Sequence, residues 1–229
     1  MMDGFREAVR EFFEKEKSGH GFDHALRTEK LARKFAEELG ADEEIVAMAA
    51  LLHDVDDYKL VGEVAAKRQE NARWIMEQFE VATEKQGVVL EIIRTMGYSN
   101  YLAGVRPRSL EGMCVSDADM CDACGAEGVA RALQYSASLP NGKLFDRDEL
   151  PNVGQNAASY RDKATRKNNC AVNHFFEKLL ILPGIMMTEA GKREAAPRKQ
   201  IMVDFLRELF REEDALEWNK YLDQYLVGL

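Results

Sequence analysis

Apolar residues recur along most of this chain at intervals of three or four positions, the spacing of one face of an α-helix. Alternation of apolar and polar residues, which is typical of a half-buried strand, is almost absent. The fold class predicted from this pattern is therefore all-α. The predicted helices cover residues 5–17, 22 or 23 to 39, 43–52, 63–79, 82–96, 116–135, 167–182 and 192–211, and the last one can extend towards Leu226.

Chain length and turn-forming residues determine the predicted domain organisation. A chain of 229 residues, 46% of them hydrophobic, is long enough for one sizeable core and short for two, so a single domain over residues 1–229 is predicted. Prolines, glycines and asparagines concentrate in residues 138–159, which predicts a long irregular segment of the kind that is often functional or flexible. Residues 192–226 are expected to form a C-terminal amphipathic helical region.

Charge and hydropathy restrict the expected partners. A formal net charge of −9 argues against a groove for polymeric nucleic acid, which needs a basic stripe. The longest apolar run, residues 45–52, is far shorter than the ~20 residues of a membrane-spanning helix. The first residues also lack the pattern of a secretory signal. We therefore expect a cytoplasmic protein that handles a small molecule and contacts no membrane.

The four cysteines are expected to be free thiols, because disulfides are rare in the cytoplasm. Cys121 and Cys124 form a Cys-x-x-Cys pair, which leaves a redox role open. A second such pair, which a zinc ribbon would need, is missing from the sequence. The alanines and glycines around the pair favour a packing role instead.

Candidate chemistry begins at the end of the third predicted helix. Asp42 is a good N-cap, and residues 45–52 are apolar on every face, which is typical of a buried helix. His53 and Asp54 then open a run of ionisable groups in the interior, which is unfavourable unless something compensates their burial. A divalent cation does so, because imidazole nitrogens and carboxylate oxygens are its natural ligands. His24, on the core-facing stripe of the preceding helix, can supply a third ligand.

A fourth ligand is available in residues 115–123. If Ser116 caps a helix there, Asp119 lies on a face of small residues that permits close helix approach. Asp117 is the rival, and because two successive steps on a helix turn by about 200°, both aspartates cannot reach one ion. The alternatives stay open at this point, since a histidine on an apolar stripe is often a hydrogen-bonded core residue and an aspartate near a helix start is often a cap.

The order His24, His53-Asp54 and Asp119 along the chain resembles the metal-binding pattern of the HD-domain metal-dependent phosphohydrolase superfamily. The segments GHGFDH, LLHDVDDYK, SDADMCDACGAEGVARAL, LFD and NHFFEKLL extend the resemblance over nearly the whole chain, to a subgroup of small uncharacterised HD hydrolases. The resemblance implies a single-domain helical bundle of the HD type. It also implies that His24, His53, Asp54 and Asp119 bind one divalent ion, for which Mn, Mg, Ni and Fe are all compatible.

One departure from the family narrows the expected chemistry. Family members with two metals, including an oxygenase branch, take extra histidines from the region between the His-Asp pair and the last aspartate. Here no histidine lies between Asp54 and Asp119, which favours a single metal ion and disfavours the oxygenase branch.

The reaction that the resemblance implies is attack of a metal-activated water on phosphorus. Asp57 is expected one helical turn after Asp54, where it can accept a proton as the catalytic base or be an exposed helix-end carboxylate. Family association suggests nucleotides as substrates. The ligand pattern is compatible with an alarmone hydrolase, but the Glu-Asp pair typical of that branch is here Asp56-Asp57, one residue early. The alternative function is a non-catalytic HD domain that binds or senses a metal or nucleotide. The oligomeric state is left open.

Five further residues are candidates for binding the phosphate substrate. Arg27 lies three residues after His24 and can share its helix face, and Lys59 closes the ionisable run. His20 precedes His24 in a glycine-flanked turn, while His174 and Lys178 lie four residues apart on one helix face. Each of these side chains can equally be an ordinary solvated residue.

Overall fold

The computed structural model describes residues 2–14, 21–161 and 170–229. Helices form nearly all the regular structure in these ranges, where the extended chain makes only an isolated bridge between Lys143 and Cys170. The predicted all-α class is confirmed. Across the same ranges, no helix combines the length and apolar character that crossing a membrane requires.

The chain divides into two compact units, Met1–Asp119 and Met120–Leu229. This division does not test the single domain predicted over residues 1–229, which stays a prediction. The first unit contains α1 (Met2–Phe13), α2 (Phe22–Leu39), α3 (Glu43–Leu52), α4 (Tyr58–Val61), α5 (Glu63–Arg68), α6 (Glu70–Gln78), α7 (Thr83–Thr95), α8 (Tyr98–Leu102) and most of α9 (Leu110–Asp122). The second contains α10 (Gly125–Ser138), α11 (Ala157–Arg161), α12 (Ala171–His174), a π-helix (Phe175–Leu179), a 3₁₀-helix (Leu182–Ile185), α13 (Glu189–Glu212) and α14 (Leu216–Val227).

Helix α3 forms the centre of the first unit. Its residues from Val46 to Leu52 are all buried, and it packs against α2 and α7. The predicted end of α2 and the predicted start of α3 are confirmed. Gly40, with φ +75°, ends α2 by donating its N–H to the carbonyl of Ala36. Asp42 caps α3 by accepting from the N–H groups of Glu44 and Ile45. The sequence signals at both ends act locally, as predicted.

The prediction of one helix over residues 63–79 is wrong, because two helices, α5 and α6, occupy this region. The break lies at Gln69, whose φ of +52° places it in the left-handed region. Its buried side chain donates from Nε2 to the carbonyl of Leu90 in α7, at 2.9 Å. A contact with a distant part of the chain therefore helps to hold the break, and local spacing does not report it.

The helix predicted over residues 116–135 is also wrong at both ends. Helix α9 begins at Leu110, and Ser109 caps it by accepting from the N–H of Gly112. Ser116 is buried within α9 and is not a cap. The chain breaks after Asp122, and α10 starts at Gly125, whose φ is +76°. The alanines at positions 123, 126 and 130 therefore do not share a helix with Asp119.

Three other predicted segments differ in detail. Helix α1 ends at Phe13, and residues 15–17 lie outside the described ranges. The single helix predicted over residues 167–182 is replaced by α12, which continues into the π-helix. Residues 167–169 lie outside the described ranges. The C-terminal region is helical, but Asp214, with φ +51°, separates α13 from α14.

The four cysteines are free and buried, in agreement with the prediction. The Sγ of Cys121 points to the carbonyl of Gly191, and the Sγ of Cys124 points to that of Leu179, each at 3.8 Å. Each thiol of the Cys-x-x-Cys pair thus has its own backbone partner, which agrees with the packing role.

Candidate metal site

Helix α2 carries the first candidate ligand on its buried face. His24 is 4% exposed and shares that face with Thr28, Ala32 and Phe35, at the spacing of one helix stripe. This stripe packs against α3. The imidazole is therefore held between two helices.

Helix α3 ends at Leu52, immediately before the second candidate ligand. His53 follows as the C-cap residue, and residues 53–56, here called the ligand turn, continue as hydrogen-bonded turns. Nδ1 of His53 lies 2.8 Å from the carbonyl oxygen of Ala50. Because a carbonyl can only accept, Nδ1 carries the proton, and in the neutral ring the lone pair is on Nε2.

Four side chains of the first unit lie close together, with two carboxylates beside two imidazoles. Nε2 of His24 and Nε2 of His53 lie 3.1 Å apart. Oδ2 of Asp54 lies 3.6 Å from Nε2 of His24 and 3.4 Å from Nε2 of His53. Oδ1 of Asp119 lies 3.3 Å and 3.6 Å from the same two nitrogens. The structure thus brings together the four residues that the sequence analysis proposed as metal ligands.

These distances fit a shared cation. With ligand bonds of about 2.1 Å, neighbouring ligand atoms are about 3.0 Å apart in an octahedral site and about 3.4 Å apart in a tetrahedral one. The nitrogen–oxygen distances of 3.3 to 3.6 Å are close to this range. Two imidazoles and two carboxylates are donors that suit several divalent metals, so the geometry fits a divalent ion without selecting which one.

Exposure differs between the two kinds of candidate ligand. The side chains of His24 and His53 are each 5% exposed, whereas those of Asp54 and Asp119 are 13% and 24% exposed. The carboxylates of Asp54 and Asp119 are therefore more accessible to solvent than the two imidazoles.

Of the two rival aspartates in α9, the geometry places Asp119 with the histidines. Asp117 is fully buried, whereas Asp119 belongs with His24 and His53 to a group of described residues whose ligand atoms all lie within 4.8 Å of one another. Burial opposes ionisation of Asp119, but the hydrogen bond with His24 and the positive charges of His53 and His24 in their protonated forms outweigh it, so the pKa of Asp119 is lowered. A carboxylate that stays ionised is the form that binds a cation.

The sequence analysis missed the role of Asp56, at the end of the ligand turn. Asp56 is 6% exposed, and its carboxylate accepts from the backbone N–H groups of Asn71 and Ala72 in the first turn of α6. Burial raises the pKa of Asp56, and these hydrogen bonds partly offset the effect. The only signal in the sequence is its place in the ionisable run, which does not identify a partner fifteen residues away.

The predicted catalytic residue, Asp57, is not part of a helix that continues from α3. It is half-buried and follows the ligand turn, with its N–H donating to the carbonyl of Asp54 at 3.0 Å. Asp57 then precedes α4, where its own carbonyl accepts from the N–H groups of Leu60 and Val61. The expected helical turn between Asp54 and Asp57 is thus replaced by a tighter backbone turn.

The predicted substrate-binding residues are spread over the chain. Arg27 is half-buried on α2, one turn after His24. His20 and the side chain of Lys59 lie outside the described part of the chain. His174 and Lys178 are half-buried in the second unit, at the end of α12 and in the π-helix. Their role in substrate binding stays a prediction.

Comparison with known proteins places this site in a family. The model of the HD domain matches residues 21–124, which include all four converging residues. The uncharacterized protein YpgQ of Bacillus subtilis is 32% identical over 208 residues, which cover 89% of each chain.

Solved structures agree with this match. A Lactobacillus plantarum protein has a TM-score of 0.79 and 32% identity, and an HD-superfamily hydrolase of Bacillus thuringiensis has a TM-score of 0.69 and 33% identity. Each alignment covers 93% of this chain and 97% of the other. The crystal structure of B. subtilis YpgQ in complex with ADP has a TM-score of 0.65 and 28% identity, with the same coverage. The chain therefore belongs to the HD-domain phosphohydrolase superfamily.

Proposed function

We propose that this protein is a metal-dependent phosphohydrolase that cleaves a small phosphate ester or anhydride, with nucleotides as the substrate class. The observation that carries the proposal is that two carboxylate oxygens each lie 3.3 to 3.6 Å from two imidazole nitrogens, which are themselves 3.1 Å apart. His24, His53, Asp54 and Asp119 would hold one divalent ion. When bound, such an ion lowers the pKa of water and neutralises charge on a phosphoryl group.

The protein side chains around this site have distinct proposed roles. The Ala50 carbonyl fixes the proton of His53 on Nδ1, which keeps Nε2 available as a ligand. Asp57 lies next to the ligand turn, and its carboxylate is proposed to accept the proton of the attacking water. Arg27, one turn after His24, is proposed to pair with substrate phosphate, together with Lys59, His20, His174 and Lys178.

Two observations support a nucleotide as the substrate. The YpgQ structure with ADP describes a relative of similar length that binds a nucleoside diphosphate. The net charge of −9 is unfavourable for polymeric nucleic acid but not for a small nucleotide whose phosphates are neutralised by a metal ion. Mono-, di- and triphosphates are therefore the first candidates.

The test is release of phosphate and pyrophosphate from a panel of nucleoside mono-, di- and triphosphates. The protein is first stripped of metal, and Mn²⁺, Mg²⁺, Ni²⁺ or Fe²⁺ is then added back. We expect turnover of one nucleotide class that needs a divalent ion and is lost in Asp119→Asn. Asp204→Asn, an exposed aspartate on α13, is the matched control and is expected to keep wild-type turnover.

Stoichiometric binding of metal and ADP without any release would contradict hydrolysis of nucleotides. That outcome would favour the alternative function, a non-catalytic domain that binds or senses a nucleotide.

A further inference from the structure

The ligand turn lies between α3 and α4 and is not part of either helix. Helix α3 ends at Leu52, and the turn is closed by single bonds from Val55 N–H to the Leu52 carbonyl, at 3.2 Å, and from Asp57 N–H to the Asp54 carbonyl, at 3.0 Å. Two of the four proposed metal ligands, His53 and Asp54, belong to this turn. Their directions therefore depend on what else fixes the turn.

Asp56 connects the ligand turn to the N-terminus of α6. Its Oδ1 accepts from the Asn71 N–H at 3.1 Å, and its Oδ2 accepts from the Ala72 N–H at 2.9 Å. These N–H groups belong to the first turn of α6, where helical partners are missing. A carboxylate from the ligand turn thus caps a helix that begins fourteen residues later in the chain.

The side chain of Asn71 strengthens this connection. Its Nδ2 donates to Oδ1 of Asp56 at 2.9 Å and lies 3.3 Å from the carbonyl oxygen of Val55. One amide group thereby binds both the side chain and the backbone of the ligand turn. Rotation of the turn would break both contacts.

The N-terminus of α6 is itself fixed. Gln69, the residue before α6, holds a left-handed conformation, and its side chain donates to the Leu90 carbonyl of α7. Helix α7 packs against both α6 and α3. The hydrogen bonds therefore run from the ligand turn through α6 to α7, and α7 contacts α3, the helix that ends immediately before His53.

We propose that Asp56, together with Asn71, is a positioning residue that fixes the directions of His53 and Asp54 toward the metal ion. It acts through the ligand turn and touches neither metal nor substrate. The inference rests on the metal site of the proposed function, and it adds a role for two residues outside the ligand set. Outer partners of this kind typically change metal affinity by about 10- to 100-fold when they are replaced.

The test compares Mn²⁺ affinity among variants of the metal-stripped, full-length protein, with free Mn²⁺ measured by its electron paramagnetic resonance signal. Asp56→Asn keeps the size of the side chain but turns an N–H₂ group toward N–H donors. We expect it to raise the Mn²⁺ dissociation constant by about 10-fold or more. Asn71→Ala leaves the backbone N–H contacts of Asp56 in place, so a smaller rise is expected.

Asp42→Ala is the matched control. Asp42 also caps a helix by accepting two backbone N–H groups, but it lies at the opposite end of α3. We expect it to lower the Tm while leaving the Mn²⁺ dissociation constant unchanged. Circular dichroism at the temperature of the titration verifies that each variant is folded.

The outcomes separate this inference from the proposed function. Tight Mn²⁺ binding by the wild type that is unchanged in Asp56→Asn and Asn71→Ala would overturn the positioning role, even if turnover is observed. An equal loss of affinity in Asp42→Ala would also overturn it, because the effect would then follow stability alone. If Asp56→Asn does not fold, Asn71→Ala decides. A wild type that binds none of Mn²⁺, Mg²⁺, Ni²⁺ and Fe²⁺ by elemental analysis would contradict both the metal site and the positioning role.

Discussion

The two ends of α3 use the same kind of residue in different ways. At the N-terminal end, Asp42 accepts from N–H groups two and three residues ahead of it. At the C-terminal end, the carboxylate of Asp54 lies beside His24, which is thirty residues away, and Asp56 binds N–H groups in α6. The Asp42 cap at the first end is formed with neighbours in the sequence, whereas Asp54 and Asp56 at the second end contact distant parts of the chain. The second end is also the one that carries the candidate chemistry.

The largest effect is expected when a proposed metal ligand at the C-terminal end of α3 is removed. His53→Ala is expected to lose bound metal and to reduce nucleotide turnover by about 100-fold or more, because the site loses one of its two imidazoles. Elemental analysis and phosphate release measure the two effects. Metal content equal to that of the wild type would remove His53 from the ligand set.

Asp57→Asn separates proton transfer from metal binding at the same end. The amide cannot accept a proton, so we expect turnover to fall by ~100-fold while the metal stays bound. Metal content and phosphate release, measured on one preparation, check both parts. Unchanged turnover would exclude Asp57 as the base, and loss of metal would give it a role in ligand binding instead.

At the N-terminal end, Asp42→Ala is expected to affect stability alone. Loss of the cap leaves the N–H groups of Glu44 and Ile45 without their carboxylate partner and should lower the free energy of unfolding by about 1 kcal/mol. Urea denaturation gives the free energy, and phosphate release should match the wild type. If turnover falls by more than the loss of folded protein accounts for, the two ends of α3 are coupled.

The smallest expected effect concerns an ion pair beside that cap. Lys85 of α7 pairs with Glu44 in the first turn of α3, and more than a third of each side chain is exposed. Exposed pairs contribute little because solvent screens them, so Lys85→Met should leave both the Tm and turnover within experimental error. A large decrease in Tm would mean that this pair holds α3 against α7.

Much of the first unit could be predicted from local signals. Gly40 and Asp42 mark helix ends because each acts within a few residues of its own position. The apolar run ending at Leu52 indicates a buried helix, and the His-Asp pair that follows indicates that something must compensate buried charge. Together with the family resemblance, which the comparisons confirm, these signals identified the residues that converge in the structure.

Two predictions were wrong where a distant contact or burial selects among the local options. The break at Gln69 depends on the Leu90 carbonyl, which lies 21 residues further along the chain. The start of α9 was placed at Ser116 because a serine can cap a helix, whereas Ser109 has that role and Ser116 is buried. Propensity describes what a residue can do, and packing selects among the options.

By itself, the sequence determined the helical class, the buried character of α3 and the set of side chains that can bind a cation. These properties follow from residue type and from spacing along a helix. Only the tertiary structure decided that Asp119 lies beside the two histidines and that Asp56 is bound by α6. The physical reason is that a hydrogen bond or a metal site needs atoms within a few ångströms, and folding alone brings positions from 24 to 119 to that distance.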